Sequence, residues 1–128
     1  MRLLLDTHAL AWWFEDSDRL GDQARAAIEA GANDVLVSAV SVFEMSLKHR
    51  SGKWPEMASL LDDLNGYILS ERFDVLPLSM AHAQLAGSLP IPHRDPFDRL
   101  LIAQAQIEQT TLVSNEALFD QFGVRRLW

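Results

Sequence analysis

The chain is expected to fold as one α/β domain over residues 1–128, with a central, mostly parallel sheet flanked by helices on both faces. Short apolar runs of strand length alternate with helix-length segments almost from end to end, which is the signature of βα units. Val35-Leu36-Val37 is a continuous apolar run bounded by polar residues, as in a strand covered on both sides. With 128 residues, 48% hydrophobic and 23% charged, the chain can bury a core and is no disordered segment. No repeat, low-complexity tract or linker divides it.

Taken in order, Leu3 to Asp6 is the first strand, and His8 to Phe14 a short helix running into the polar turn Glu15–Asp18. Asp22 to Ala30 is an Ala-rich helix, with Gly31 at the expected stop. Val35–Val37 is the second strand. Ser41 to Arg50 reads as a helix, broken after it by Gly52 and Pro55. Pro55 to Glu71 reads as one long helix, with Met57, Leu60, Leu61, Leu64 and Ile68 three or four apart. Phe73 to Leu78 is the third strand, and Ser79 caps a helix running to Leu89. The proline loop Pro90–Arg94 precedes a helix from Asp95 and Pro96 to about Gln109, an Asp cap followed by Pro in the first turn. Thr111–Val113 is the fourth strand, Glu116–Phe122 a short helix and Val124–Trp128 a closing strand.

Composition limits the function. Without cysteine there are no disulfides, thiolate zinc sites or cysteine nucleophiles, which suits a reducing cytoplasm. The first apolar stretch ends too early for a signal peptide, and no run approaches membrane-spanning length. A net charge of −7, from 18 acidic against 11 basic residues, argues against broad nucleic-acid binding. A metal cluster would reverse that sign locally. The groups Lys48/Arg50/Lys53, Arg94/Arg99 and Arg125/Arg126 read either as phosphate guides or as solvated charge.

Four acids stand where strands end or helices begin. Asp6 closes an apolar strand, at the rim where open parallel sheets bind ligands; as a lone residue it reads equally as a turn former. Glu44 completes Ser41-x-x-Glu44, the spacing of a capping box, and the same first-turn position would carry it toward the rim near Asp6. Asp95-Pro-Phe-Asp98 places one acid at a cap and one in the first turn, where the helix dipole favours it. Glu116 follows the fourth strand, with Ser114 able to cap the next helix. Asp120 reads as part of a solvated face. Crowded carboxylates need a cation to neutralise them, and hard oxygen donors suit Mg²⁺ or Mn²⁺. Such a site, with one ion or two, points to hydrolysis of a phosphodiester. His8 reads first as a polar contact at a helix start, with a phosphate contact as the alternative; His93 in the proline loop is placed to approach a substrate; His49 and His82 read as structural or exposed. No phosphate loop, nucleophile elbow or His-Glu-x-x-His motif is present.

The ordered set Leu-Leu-Leu-Asp6-Thr-His-Ala-Leu, Ser38-x-x-Ser41-x-x-Glu44, Asp95-Pro-Phe-Asp98-Arg-Leu-Leu-Ile-Ala-Gln-Ala and Thr111-Leu-Val-Ser-Asn-Glu116 resembles the successive motifs of the PIN domain. The closing Phe-Gly-Val-Arg-Arg-Leu-Trp128 is similar to the end of VapC-type toxins of type II toxin–antitoxin pairs. The resemblance implies a Mg²⁺- or Mn²⁺-dependent endoribonuclease in which Asp6, Glu44 and Asp98 are the core catalytic and metal-ligating acids. Glu116 falls where the family more often has Asp, so it would ligate either directly or through water. Asp95, Ser114 and Thr7 would be accessory. The resemblance also implies a homodimer and a VapB-like antitoxin that threads a peptide into the acidic cleft. Trp12, Trp13, Phe14 and Trp54 are then candidates for antitoxin or dimer contact, or for core filling. An inactive binding module on the same fold is the alternative. A phosphorelay receiver fits less well, since Asp6 has no acidic neighbour and no Lys follows Lys53.

Overall fold

A computed structural model describes all residues, Met1–Trp128. Five strands form one sheet in the order β3-β2-β1-β4-β5, every neighbouring pair parallel. They are β1 (Arg2–Leu5), β2 (Asp34–Ser38), β3 (Asp74–Leu76), β4 (Thr111–Val113) and β5 (Arg125–Leu127). The helices are α1 (Thr7–Phe14), α2 (Asp22–Glu29), α3 (Ala39–Arg50), α4 (Ala58–Asp62), α5 (Leu64–Ser70), α6 (Met80–Ser88) and α7 (Pro96–Glu108), with 3₁₀ turns at Pro55–Met57 and Ala117–Phe122.

The central strand β1 shows why the sheet is covered on both sides. Successive side chains of a strand point to opposite faces. Leu3 and Leu5 join Val35, Val37 and Val113 in a core with Leu10 of α1, Ile28 of α2, Met45 of α3 and Ile68 of α5. Leu4 joins Leu36 and Leu112 in the other core, against Leu101 and Ile102 of α7 and Phe119 and Phe122 of the last turn. All three leucines are fully buried. A sheet with apolar residues on both faces can only sit between two helical layers.

Strand order then locates the rim that matters. From β1 the chain steps through β2 to β3 on one side, and the fourth and fifth strands lie on the other. The order therefore reverses between β1 and β4, the switch point at which open α/β sheets leave a crevice at their carboxyl ends. Leu5 pairs with Val113, and the next residues outward are Asp6 and Ser114.

Four local expectations change. The helix expected from Ser41 begins at Ala39, because the Ser38 hydroxyl accepts from the Val40 amide (3.0 Å) and caps it instead. No Ser41–Glu44 capping box forms, and the buried Ser41 hydroxyl has no partner. The long helix expected over residues 55–71 is three pieces: Asp63 leaves helical geometry (φ −141°, ψ 54°), and its carboxylate caps α5 at the Gly66 amide. The segment after Glu116 is a 3₁₀ turn ended by left-handed Gly123 (φ 70°). The strand expected to Leu78 stops at Leu76, before Pro77, which has no amide to donate.

Candidate active site at the carboxyl rim of the sheet

Asp6, Glu44, Asp98 and Glu116, with Asp95 and Thr7, line one cleft of about 140 Å³. Four separate elements deliver them. Asp6 ends β1 and caps α1, its carboxylate accepting from the Ala9 amide at 2.8 Å. The turn-former reading and the site reading of Asp6 therefore describe one geometry. Its own amide donates to the Val113 carbonyl (3.0 Å), which locks it beside the end of β4. Glu44 lies in the second turn of α3, Asp98 in the first turn of α7, and Glu116 at the entry to the last 3₁₀ turn.

Each buried acid has an internal partner. The Thr7 hydroxyl donates to Glu44 Oε1 at 2.6 Å, and Lys48 Nζ reaches Oε2 at 2.6 Å. His93 Nε2 lies 2.8 Å from Asp98 Oδ2, and the Asp98 amide donates to the Asp95 cap at 3.0 Å. Glu116 is exposed at the mouth, and its amide donates to the buried Ser114 hydroxyl at 3.0 Å. Arg126 supports that corner, donating to the Ser114 carbonyl (3.0 Å) while its guanidinium grips Asp120. Asp120 thus lies on an exposed ion pair outside the cleft.

The electrostatics are those of a site short of positive charge. Burial pushes the Asp6 carboxyl from 3.8 up to about 6, against the Ser114 hydroxyl and the Ala9 amide, which favour its charged form; Asp98 adds repulsion. The Asp98 carboxyl is also raised, first by burial and then by Asp95 and Glu44, with His93 opposing. No three His, Asp or Glu side chains are gathered, as oriented, to hold a metal ion among them. Glu44 is turned to Thr7 and Lys48, and Asp98 to His93. The donor chemistry nevertheless suits a hard divalent cation: five carboxylates share one cleft, two have raised pKa values, and Lys48 supplies a single positive charge.

Several contacts were not visible from residue types alone. The Lys48 contact had a signal, the Glu–Lys i,i+4 spacing. Arg99, grouped with Arg94 as a phosphate guide or solvated charge, is committed to carbonyls of Ala86, Gly87, Leu89, Ile91 and His93 instead. It fastens the proline loop that carries His93, and no local pattern announced it. His82 is structural, buried against Glu108 (3.0 Å). The aromatic candidates separate into two groups. Trp13 and Phe14 pack on Phe73, both at 6.1 Å, whereas Trp12 and Trp54 flank exposed His8 at 5.3 and 5.1 Å.

A parallel α/β sheet with an acid-lined crevice at its switch point defines the class. The model of the PIN domain family matches residues 3–124. Ribonuclease VapC22 of Mycobacterium tuberculosis is 32% identical over 104 residues, covering 80% of this chain and 78% of that protein. Two crystal structures share the fold. VapBC2 from Rickettsia felis, bound to a DNA fragment from its promoter, aligns with a TM-score of 0.72 at 18% identity over 99% of this chain and 98% of that one. FitAcB from Neisseria gonorrhoeae aligns with a TM-score of 0.68 at 19% identity, over 98% and 96%. The chain belongs to the PIN-domain family, among its VapC-type members.

Proposed function

We infer that this protein is a VapC-type endoribonuclease, the toxin of a type II toxin–antitoxin pair, hydrolysing RNA phosphodiester bonds with a carboxylate-bound Mg²⁺ or Mn²⁺. The observation that carries the reading is the convergence of acids from four elements on one crevice at the switch point. Asp6, Glu44 and Asp98 would hold the cation, with Glu116 at the mouth reaching it directly or through water. When bound, the ion would supply an activated water and neutralise charge on the cleaved phosphate. The protein's own residues prepare for this. Thr7 and Lys48 aim the Glu44 carboxylate, His93 orients Asp98, and Ser114 favours the charged form of Asp6.

A basic segment of a VapB-like antitoxin would be drawn to the same carboxylates, blocking the cleft by charge complementarity. Exposed Phe43 and Leu47 on α3, with Phe43 against Phe97 at 5.7 Å, support a homodimer face. No helix is long and apolar enough to cross a membrane; the compartment on this reading is the cytoplasm, where the RNA is.

Partner-free protein incubated with cellular RNA is expected to cleave it in Mn²⁺ or Mg²⁺. Chelator and Asp6→Asn each abolish the activity. Absence of cleavage in Mn²⁺ with any RNA pool would overturn the nuclease reading.

A further inference from the structure

Beside the acidic cleft lies a second concavity of about 450 Å³, lined by Trp12 and Trp54 with Arg19 and Lys53. Two residues join it to the cleft. His8 lines the cleft and stands between the two indoles, at 5.3 and 5.1 Å. Lys48, paired with Glu44, places Nζ 5.9 Å from the Trp54 ring centroid. We propose that the Trp12–His8–Trp54 surface is a stacking track for the bases of single-stranded RNA leading into the cleft, with Arg19 and Lys53 holding the backbone phosphates. The proposal rests on the nuclease reading for its direction, not for its chemistry.

Both tryptophans are half-buried over the core yet keep surface toward the concavity, and His8 is exposed. Base–aromatic stacking is tolerant of sequence and needs a strand free of duplex. Arg19 and Lys53 are exposed and belong to none of the ion pairs of the molecule. In a chain of net charge −7, two cations outside every ion pair, beside an aromatic pair, offer contacts to the backbone of an anionic strand. Glu15 and Glu56 complete the lining, so the affinity is carried by stacking, and the cations set where the backbone runs.

The test titrates the whole, partner-free protein with a fluorescein-labelled eight-nucleotide single-stranded RNA. Binding is read in EDTA by anisotropy, and cleavage separately in Mn²⁺. Trp54→Ala is expected to weaken binding about tenfold, the loss of one stacked base, and to raise KM with little change in kcat. Trp54→Phe restores most of the affinity, which separates a lost ring from a misfolded chain. The exposed-site double variant Arg19→Ser/Lys53→Ser lowers the slope of log affinity against log salt by about 1.4. Unchanged affinity in all three variants overturns the track. So does a loss confined to binding of a basic antitoxin peptide, which would make this surface a protein-docking site. A wild-type protein that binds RNA in this Trp54-dependent way but never cuts it sinks the nuclease reading and leaves the track standing.

Discussion

Asp6 is held in a costly state. Nine-tenths or more of it is buried, and its carboxyl is raised from 3.8 to about 6. A group that binds its proton more tightly when folded stabilises the fold below its unfolded pKa and gives that stability up as pH rises. The metal-free protein is therefore expected to lose stability between about pH 4 and pH 6, the interval between the two values. A shift of that size corresponds to about 2–3 kcal/mol. Asp6→Asn keeps the acceptor for the Ala9 amide and removes the charge. Denaturant unfolding at pH 7.5 is expected to show the variant more stable than the parent by about 2 kcal/mol, with cleavage lost on the proposed reading. A destabilised variant would mean that the charge is already neutralised within the fold.

At the scale of elements, local sequence misled at the start of α3. Ser38 and Ser41 are both acceptable caps for the helix after β2, and Glu44 three residues beyond Ser41 favoured the second. The structure caps at Ser38, which leaves the Ser41 hydroxyl buried without a partner. Ser41→Ala is then expected to be neutral or mildly stabilising in thermal melts, where a true cap would cost about 1 kcal/mol. The choice also frees the Glu44 side chain for Thr7 and Lys48. Had α3 begun at Ser41, that carboxylate would have been spent on its own backbone.

Arg99 shows the reverse case, an exposed-looking charge that builds an element. Its five contacts satisfy carbonyls between Ala86 and His93 that no regular structure serves. Arg99→Ala is expected to destabilise the fold by about 2–3 kcal/mol, since hydrogen bonds to a charged group are the stronger kind. Hydrogen exchange should speed up in Leu89–Arg94 more than elsewhere, and uniform acceleration would refute a local role. Cleavage should fall as well, because the same loop carries His93 to Asp98.

For the molecule as a whole, the cation and the fold are linked. A ligand that binds only the folded state raises its stability with concentration. Millimolar Mn²⁺ is expected to raise Tm in the parent protein and to do little for Asp6→Asn. An equal rise in both would place the ion elsewhere.

From the residues alone come the αβ alternation, the apolar strands that must be buried on both faces, and a set of acids at strand ends and helix starts. These are legible because each depends on neighbours a few positions away. The strand order β3-β2-β1-β4-β5 brings Asp6 beside Ser114 and makes one cleft of acids from four elements. Which atom each carboxylate faces depends on that packing: Glu44 on Thr7 and Lys48, Asp98 on His93. Only the tertiary structure decided these points, because burial and charge at the rim come from residues far apart in the chain.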